Sequence, residues 1–543
     1  MINPKARPCD EAAIRAVQCT GTCLEHQKRW VLAVTILSST MAYVDESVVN
    51  VALPAIERDL GTSVVIIQWL VNAYTLSLTA LLLVGGAAGD RYGRRRIFVI
   101  GTGVFAAASI GCGLSTGVTQ LILARAIQGA GAALLIPCSL AIIGASFNEA
   151  ERGKAIGTWA GFSAISAAIG PLLGGIIVDH ASWRWIFLIN PFVALPTIWI
   201  AVRYVPESRD PEAGSGLDWR GAALALGGLG SLVFGLMAAP ERGVRDALVI
   251  ITILAGVLLL IAFVWEESRS RTPMMPLGLF RSRTFSGVNL LTLLLYAALG
   301  GAFFFLPYLL IQVHGYSATL AGAVFLPFTL VMAALSRWAG GLLDRFGARA
   351  PLIIGPAIAA LGFVLLALPG AGGPYWATFL LPMIVLGLGM AVTVAPLTTA
   401  IINAVAARQT GVAAGINNAV ASLANLLAVA IIGAVALAAY NRALDHRLND
   451  GALPSEVTRA ITEARGNFAA DVRAQGEDRR LAEAIVRDSL ADSIRVVLLL
   501  AAALALAGAM CAATTLPPEP VGASRSRGLS GGARRKPEAL PGR

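Results

Sequence analysis

The chain has 543 residues, of which 56% are hydrophobic and only 14% charged, with a mean hydropathy of +0.72. A soluble protein has about a quarter charged residues, so this composition excludes a chain that folds mainly in water. The net charge of +10 does not indicate nucleic-acid binding, because the basic residues lie in short segments beside apolar runs. The expected fold is an all-α polytopic membrane protein.

The first 29 residues are polar and basic. They lack the apolar core and small-residue cleavage site of a signal peptide, so we expect a retained cytoplasmic tail at 1–29. Cys9, Cys19 and Cys23 in this segment have a spacing that matches no common zinc site, and neither a metal nor a cofactor is predicted.

Apolar runs long enough to cross about 30 Å of hydrocarbon follow this tail. The fourteen predicted spans are 30–53, 64–88, 97–115, 119–146, 154–178, 184–203, 218–238, 246–265, 285–311, 318–343, 351–369, 375–402, 410–440 and 494–516. An even number of spans places both termini on one side of the membrane. The short loops on the other side hold few basic residues, namely Arg58, Arg184, Arg242 and Arg245. Both termini are therefore predicted to be cytoplasmic.

The first span contains two adjacent acids, Asp45 and Glu46. Ionisable residues inside a span usually face the bundle interior and mark a substrate or proton pathway. Neighbours on a helix point about 100° apart, so we do not expect both acids to face one cavity. Asp45 is the favoured proton-coupling residue. Glu46, which shares a face with Asn50, either takes part in coupling or lies near the outer headgroups.

Arg125 is the one charged residue of the fourth span. A guanidinium in lipid is costly without an internal partner, and Asp45 is the expected counter-charge, so that protonation of the acid would release the arginine. Gln128 at i+3 can share the face of Arg125. The alternative is an interfacial arginine whose side chain reaches the headgroups.

The fifth span is rich in glycine around a Gly-Pro pair. Its candidate motif consists of Gly157, Gly161, Gly170, Pro171, Gly174 and Gly175. Glycines four residues apart give a flat face for close helix contact, and proline removes a backbone hydrogen bond and kinks the helix. Generic packing is the alternative, but the clustering around Gly-Pro favours a specific device.

One short pattern occurs twice, 254 positions apart, after the second and tenth spans. Its residues are Gly86, Asp90, Arg91, Gly93, Arg94 and Arg95 in the first copy and Asp344, Arg345, Gly347 and Arg349 in the second. Each acid ends a helix, where the helix dipole disfavours a carboxylate, so a neighbouring helix N-terminus or the turn's own arginines must stabilise it. A contact with the other half of the chain would form a cytoplasmic gate. The alternative is a charge pattern that only sets topology.

The repeat divides the chain into two related halves. The predicted units are a six-helix bundle at 30–203, an inserted helix pair with a cytoplasmic linker at 204–284, a second six-helix bundle at 285–516 and a cytoplasmic tail at 517–543. The long outer loop, 441–493, has apolar residues every three or four positions, which predicts a short helical hairpin. It either caps the outer mouth or docks a periplasmic adaptor protein.

Together these motifs resemble the major facilitator superfamily, specifically its fourteen-span drug:proton antiporter branch. The segments that carry the resemblance from Trp30 to Leu516 are Asp45–Pro54, Asp90–Arg95, Leu121–Gly131, Gly157–Gly175 and Trp183–Pro191. The departures are Ser166 where the pattern prefers glycine, Ser47 in place of threonine, and the additional acid Glu46, whose charge implies either a second proton or a contact with a cationic substrate. No acid lies deep in spans 9–14, unlike in some relatives that handle dications.

The resemblance implies a proton-coupled antiporter that exports small amphipathic compounds by alternating access across a bacterial inner membrane. Arg125 has the position assigned to proton coupling. The candidate substrate cavity lies between the bundles, with Asn50, Trp69, Tyr74, Gln128, Tyr296, Phe303 and Phe304 as its predicted lining; lipid-facing aromatics are the alternative. The partners expected are the small-molecule substrate, protons and the bilayer, and the protein is expected to act as a monomer.

Two other functions fit the same residues. One is a dedicated exporter of an endogenous lipid or metabolite, and the other is the inner-membrane subunit of an envelope-spanning pump. An enzyme is not expected, because the four histidines lie in tails, loops or span ends and no nucleophile or metal cluster is apparent.

Overall fold

The computed structural model describes residues 22–209, 218–270, 273–368, 375–405, 409–449, 454–463, 465, 468 and 476–517, without the side chains of some residues in these ranges. Most of the predicted N-terminal tail and nearly all of the C-terminal tail lie outside these ranges. The described part is helical and contains no strand. The predicted all-α polytopic fold is therefore confirmed.

Fourteen helices follow the order of the predicted spans, and we label them by that order. They are α1 (Thr22–Leu60), α2 (Val64–Tyr92), α3 (Arg94–Gly113), α4 (Val118–Ser146), α5 (Glu149–His180), α6 (Asn190–Tyr204), α7 (Trp219–Arg242), α8 (Ala247–Arg269), α9 (Arg283–Tyr308), α10 (Leu326–Phe346), α11 (Arg349–Ala367), α12 (Leu381–Asn403), α13 (Thr410–Asn449) and α14 (Gly476–Thr515). Thirteen helical segments of the described residues are long and apolar enough to cross a membrane, and α5 holds a shorter apolar stretch, Ile169–His180.

The helices form two bundles joined by an inserted pair. Helices α1–α6 pack mainly on each other, and so do α9–α14. The inserted helices α7 and α8 pack together, and α7 also contacts α2 and α13 where the bundles meet. There the Trp69 and Phe234 rings lie 6.2 Å apart, and the Asn72 amide donates to the Met237 sulfur.

Helix α8 shows most directly what solvent the fold requires. Its most apolar 18-residue window has a mean hydropathy of 3.2, yet only 11% of that window is buried inside the protein. Ile251, Leu254 and Leu258 are among its exposed side chains. An apolar helix surface of this extent needs hydrocarbon rather than water around it.

We call the end of the molecule at which α1 ends, at Leu60, the distal end, and the end at which α2 ends, at Tyr92, the proximal end. The predicted outer loop lies at the distal end, but it is shorter than expected. Helix α13 continues to Asn449 and α14 begins at Gly476, so the second arm of the predicted hairpin is the first part of α14. Continuing the helix keeps its backbone hydrogen bonds and buries Val486 and Leu490.

The described residues of the remaining loop include a short helix, Ser455–Glu463. Its Val457 and Ile461 side chains are fully buried in the main hydrophobic core, and the nearby Phe468 packs against Tyr308 and Tyr440. Arg465 forms an ion pair with Asp445 at the end of α13. These contacts support the cap interpretation of the loop.

Candidate functional site

A buried polar network surrounds Asp45 in the middle of the N-terminal bundle. Its carboxylate Oδ2 lies 2.6 Å from an Nη atom of Arg125, and each residue is only 1% exposed. The amides of Gln128 and Asn190 both donate to Oδ1, at 2.9 and 2.7 Å. Four helices contribute to this network, because both amides also donate to the hydroxyl of Ser109 on α3. Such satisfaction is what a buried charge requires.

Arg125 is held on every side. Its guanidinium also donates to the Gln128 side-chain oxygen at 2.7 Å and to the Leu70 carbonyl at 3.4 Å. It lies 4.2 Å from the centre of the Tyr74 ring and 5.7 Å from that of Phe187, distances that favour cation–π attraction. The structure thus brings Arg125 to the predicted counter-charge and away from the headgroups.

A cavity of about 370 Å³ lies between the two bundles, beside this network. Of the predicted lining residues, Asn50, Tyr74, Tyr296, Phe303 and Phe304 line it. The predictions for Trp69 and Gln128 differ from the structure. Trp69 packs on Phe234 of the inserted pair, and the Gln128 side chain is fully occupied by the Asp45 network.

Glu46 also lines the cavity, as does Arg125. The two adjacent acids therefore point in different directions, as the 100° step of a helix requires. Asp45 faces the interior of its own bundle, whereas Glu46 faces the space between the bundles. Apolar side chains from both bundles, including Val71 and Met390, complete the wall.

The bundles are tied together at the distal end. The Tyr308 hydroxyl on α9 donates to the Glu57 carboxylate on α1 at 2.6 Å, and both residues are buried. Arg58 donates to Gln312 at 2.7 Å. A third link uses Asp179 at the end of α5, whose carboxylate accepts from the backbone N–H groups at the start of the short helix Ala318–Ala323. These contacts join the two bundles on the distal side of the cavity.

The glycines of the α5 motif differ in what they contact: those near Pro171 pack against other helices, and Gly157 and Gly161 do not. A Cβ at Gly170 would overlap Ser47, and a Cβ at Gly175 would overlap the Ala318 backbone. The flat face of these residues therefore allows α5 to touch α1 and the C-terminal bundle, and Pro171 lines the cavity. Gly174 also lies close to α1, with the Val48 carbonyl oxygen 2.9 Å from the position of its Cβ.

At Gly157 and Gly161 the prediction of close helix contact is wrong. A Cβ at either position would meet nothing within 4 Å, because both residues are exposed. The spacing of four residues predicted a shared face, but the partner helices follow only the distal half of that face.

The first copy of the repeated turn is held within its own bundle. The Asp90 carboxylate accepts a hydrogen bond at 2.8 Å from Arg94, four residues later. An arginine of the turn therefore stabilises this acid, which is one of the two arrangements expected from the sequence. Arg91 lies over the Tyr92 ring. Among the other predicted residues, a Cβ at Gly86 would lie 3.5 Å from Pro137, which is ordinary contact.

Glu207, which follows α6, braces the same turn and was not predicted. Its carboxylate accepts from the backbone N–H groups of Arg95 and Arg96 at the start of α3, at 3.0 and 3.2 Å. Gly93 has a φ of 115°, and a Cβ there would lie 2.7 Å from this carboxylate. Glycine is therefore required by both the backbone and the brace.

In the second copy, Gly347 also has a positive φ, of 67°, and Arg349 donates to the Ala513 carbonyl at 2.7 Å. The side chains of Asp344 and Arg345 lie outside the described part of the structure.

Sequence reasoning also missed Ser109, Asn190 and the Glu57–Tyr308 pair. Glu57 carried a usable signal, because it lies about three turns after Asp45 on the same helix and its charge needs a partner. Ser109 carried none, since uncharged polar residues are common in spans, and Asn190 lay in the Trp183–Pro191 segment without an assigned role.

Comparison with known proteins agrees with this architecture. The sequence profile described as Major Facilitator Superfamily matches residues 35–429. The chain is similar to the multidrug resistance protein Stp of Mycobacterium tuberculosis, at 32% identity over 87% of this chain and 89% of that protein. It is also similar to the puromycin resistance protein pur8 of Streptomyces alboniger, at 37% identity over 80% of this chain and 88% of that one.

A third relative is the tetracenomycin C resistance and export protein of Streptomyces glaucescens, at 33% identity over 72% and 73% of the two chains. Among solved structures, a bacterial homologue of the human lysosomal transporter Spinster, in an inward-facing conformation, matches with a TM-score of 0.66, 18% identity and 91% and 99% coverage. The chain belongs to the Major Facilitator Superfamily of membrane transporters.

Proposed function

We propose that the protein is a proton-coupled antiporter that exports small amphipathic compounds, drugs among them, across the cytoplasmic membrane of a bacterium. The observation that carries this proposal is the buried Asp45–Arg125 pair, whose arginine also forms part of the cavity wall. Because Arg125 contacts the Asp45 carboxylate and also lines the cavity, protonation of Asp45 can be coupled to substrate binding in the cavity. The names of the three relatives support export of drugs.

The coupling step follows from the charges. As a carboxylate, Asp45 holds Arg125 at 2.6 Å and links α1 to α4. A proton on Asp45 removes the negative charge and with it the main attraction for the guanidinium. Arg125 is then free to change its position at the cavity wall, and α1 is free to move relative to α4.

Alternating access requires contacts that exist in one state only. The distal links Glu57–Tyr308 and Arg58–Gln312, together with the Asp179 cap, are suited to this role because they join elements of different bundles. We propose that they hold the cavity closed on the outer side and that the basic proximal end faces the cytoplasm. In the opposite state these links break, and the proximal turns close the inner side.

The test is transport by the purified protein in liposomes. With an imposed pH gradient, acidic on the distal side, the wild-type protein should move an aromatic dye against its concentration gradient, and collapse of the gradient should stop it. Dye movement that persists at full rate without a pH gradient, or no movement with one, would contradict proton coupling. Labelling of single cysteines in the loops from either side of the membrane tests the proposed orientation.

A dedicated exporter of one compound is the second candidate. It is favoured by relatives named for a single compound, such as the cephamycin export protein CmcT of Amycolatopsis lactamdurans, at 35% identity over 72% of this chain and 81% of that protein. A panel of unrelated compounds presented to the same liposomes distinguishes the two. Transport of one structural class alone would favour the dedicated exporter.

A further inference from the structure

Two acids at the proximal end of the inserted helix pair lie close together. Asp218 immediately precedes α7, and Glu267 lies in the last turn of α8, where only 3% of its surface is exposed. Each carboxylate uses one oxygen to accept a backbone hydrogen bond. Asp218 Oδ1 accepts from Gly221 at 2.8 Å, and Glu267 Oε2 accepts at 2.9 Å from Met275, in the linker 270–282 that joins α8 to α9. The other oxygen of each acid is buried without a donor among the described residues.

The two oxygens without a donor face the same point. Asp218 Oδ2 and Glu267 Oε1 lie 2.8 and 3.0 Å from the position that a Cβ on Gly221 would occupy, and the two side chains are within hydrogen-bonding reach of each other. Two carboxylates this close repel strongly when both are ionised. One proton makes one acid a donor to the other, so a single shared proton satisfies both oxygens.

The surrounding charges do not replace this proton. The charged residues that the structure describes on the three adjoining elements form no ion pair with either acid; they are Arg220, Glu266, Arg269, Arg281 and Arg283. The Arg269 guanidinium lies instead over the Trp265 ring, 4.2 Å from its centre. Arg271 is outside the described residues. A metal ion would have too few protein ligands, because no third acid, histidine or cysteine joins the pair in the described part of the chain.

We propose that Asp218 and Glu267 form a proton-binding site, separate from Asp45, that fastens the linker to the inserted pair. With one proton shared, the acids hold the start of α7 to the end of α8 and keep Glu267 in place for the N–H group of Met275. The linker leads directly into α9, the first helix of the C-terminal bundle.

The pH dependence follows from the proton that the fastened state holds. Below the pH at which the pair loses this proton, the linker is fastened. As the pH rises, the proton is lost, two negative charges face each other, and their repulsion releases the linker. This site does not depend on the proposed export function, because none of its residues belongs to the Asp45 network or to the cavity wall.

Infrared spectroscopy of the purified protein observes the shared proton directly, through the C=O stretch of a protonated carboxyl group. Differences between wild type and variants isolate the pair from Asp45 and Glu46. Glu267→Gln and Asp218→Asn each replace one acid by an amide that donates to the other, so each should remove the same carboxyl band. Unchanged carboxyl absorption in both variants would show two ionised acids, neutralised by another group such as Arg271, and would overturn the proposal.

Amide hydrogen exchange in the linker tests whether the proton fastens it. Glu267→Gln keeps an acceptor for Met275 and a donor for Asp218 at every pH. Compared with this variant at the same pH, the wild-type linker should exchange equally when the pH is low. It should exchange about tenfold or more faster when the pH is high, as expected when a hydrogen bond to a charged group is lost.

Glu266→Gln is the matched control, because it removes the neighbouring acid of the same helical turn. It should keep the infrared band and show the same pH dependence of exchange as the wild type. Unchanged exchange in α2 and α4 shows that each variant is folded. If the wild type and Glu267→Gln exchange alike at every pH, the proton does not fasten the linker and the proposal is refuted.

Discussion

The Asp45 carboxylate and the Arg125 guanidinium lie 2.6 Å apart, and almost no solvent reaches either side chain. They come from helices α1 and α4, and two amides satisfy the other carboxylate oxygen. The pair is therefore a structural link between two helices, and a proton on Asp45 leaves the positive charge of Arg125, which lines the cavity, without its counter-charge.

Replacing Asp45 by asparagine should abolish export driven by a pH gradient, because the side chain can no longer exchange a proton. The change also leaves a buried guanidinium without its counter-charge, at a cost of about 3–5 kcal/mol. Transport in liposomes and thermal unfolding measure the two effects separately. The double variant Asp45→Asn with Arg125→Gln should recover much of the stability but no transport. Wild-type export by Asp45→Asn would refute the assignment.

The pair could be predicted from the sequence because charges inside a span are costly and few, so Arg125 had few possible partners. The span order was predictable for a similar reason, since length and hydropathy alone define a membrane-crossing helix. Asn190 and Ser109 could not be predicted, because an uncharged polar residue can bond to its own helix. Whether another helix packs against the face of Gly157 and Gly161 depends on how the whole bundle packs. The sequence of one helix does not determine this.

Close contact between the bundles at Gly175 gives a second prediction. Gly175→Ala places a methyl group on the Ala318 backbone, whereas Gly157→Ala fills open space. Both substitutions bring the same gain in helix propensity, up to about 1 kcal/mol, so their difference reports the contact. We expect Gly175→Ala to weaken the distal closure and slow export, and Gly157→Ala to transport normally. Equal rates for the two variants would show that this contact does not limit transport.

The distal hydrogen bond between Tyr308 and Glu57 gives a third. Tyr308→Phe removes a donor to a carboxylate, a contact worth about 1.5–3 kcal/mol, so the state with an open distal side should become about tenfold or more populated. A cysteine introduced at Asn50 in the cavity should then react faster with an impermeant maleimide added from outside. The reference for this rate is the same cysteine variant with Tyr308 intact.

Tyr440→Phe is the matched control for this measurement. Tyr440 is as deeply buried and also contacts Phe468, but its hydroxyl has no hydrogen-bond partner among the described residues. Its removal should leave the labelling rate unchanged. If both variants label alike, the effect belongs to the packing of the aromatic cluster, and the Tyr308–Glu57 bond is not a gate.

The two copies of the repeated turn should differ in importance. Asp90 has Arg94 four residues later and bonds to it, whereas the corresponding position after Asp344 is Ala348. The Asp90–Arg94 pair is partly exposed, so Asp90→Asn should cost no more than about 1 kcal/mol of stability. A large loss of export in Asp90→Asn would therefore reflect gating rather than unfolding. We expect Asp90→Asn to reduce export more than Asp344→Asn at equal membrane abundance. Equal rates in the two variants would mean that the repeat only sets the orientation of the helices in the membrane.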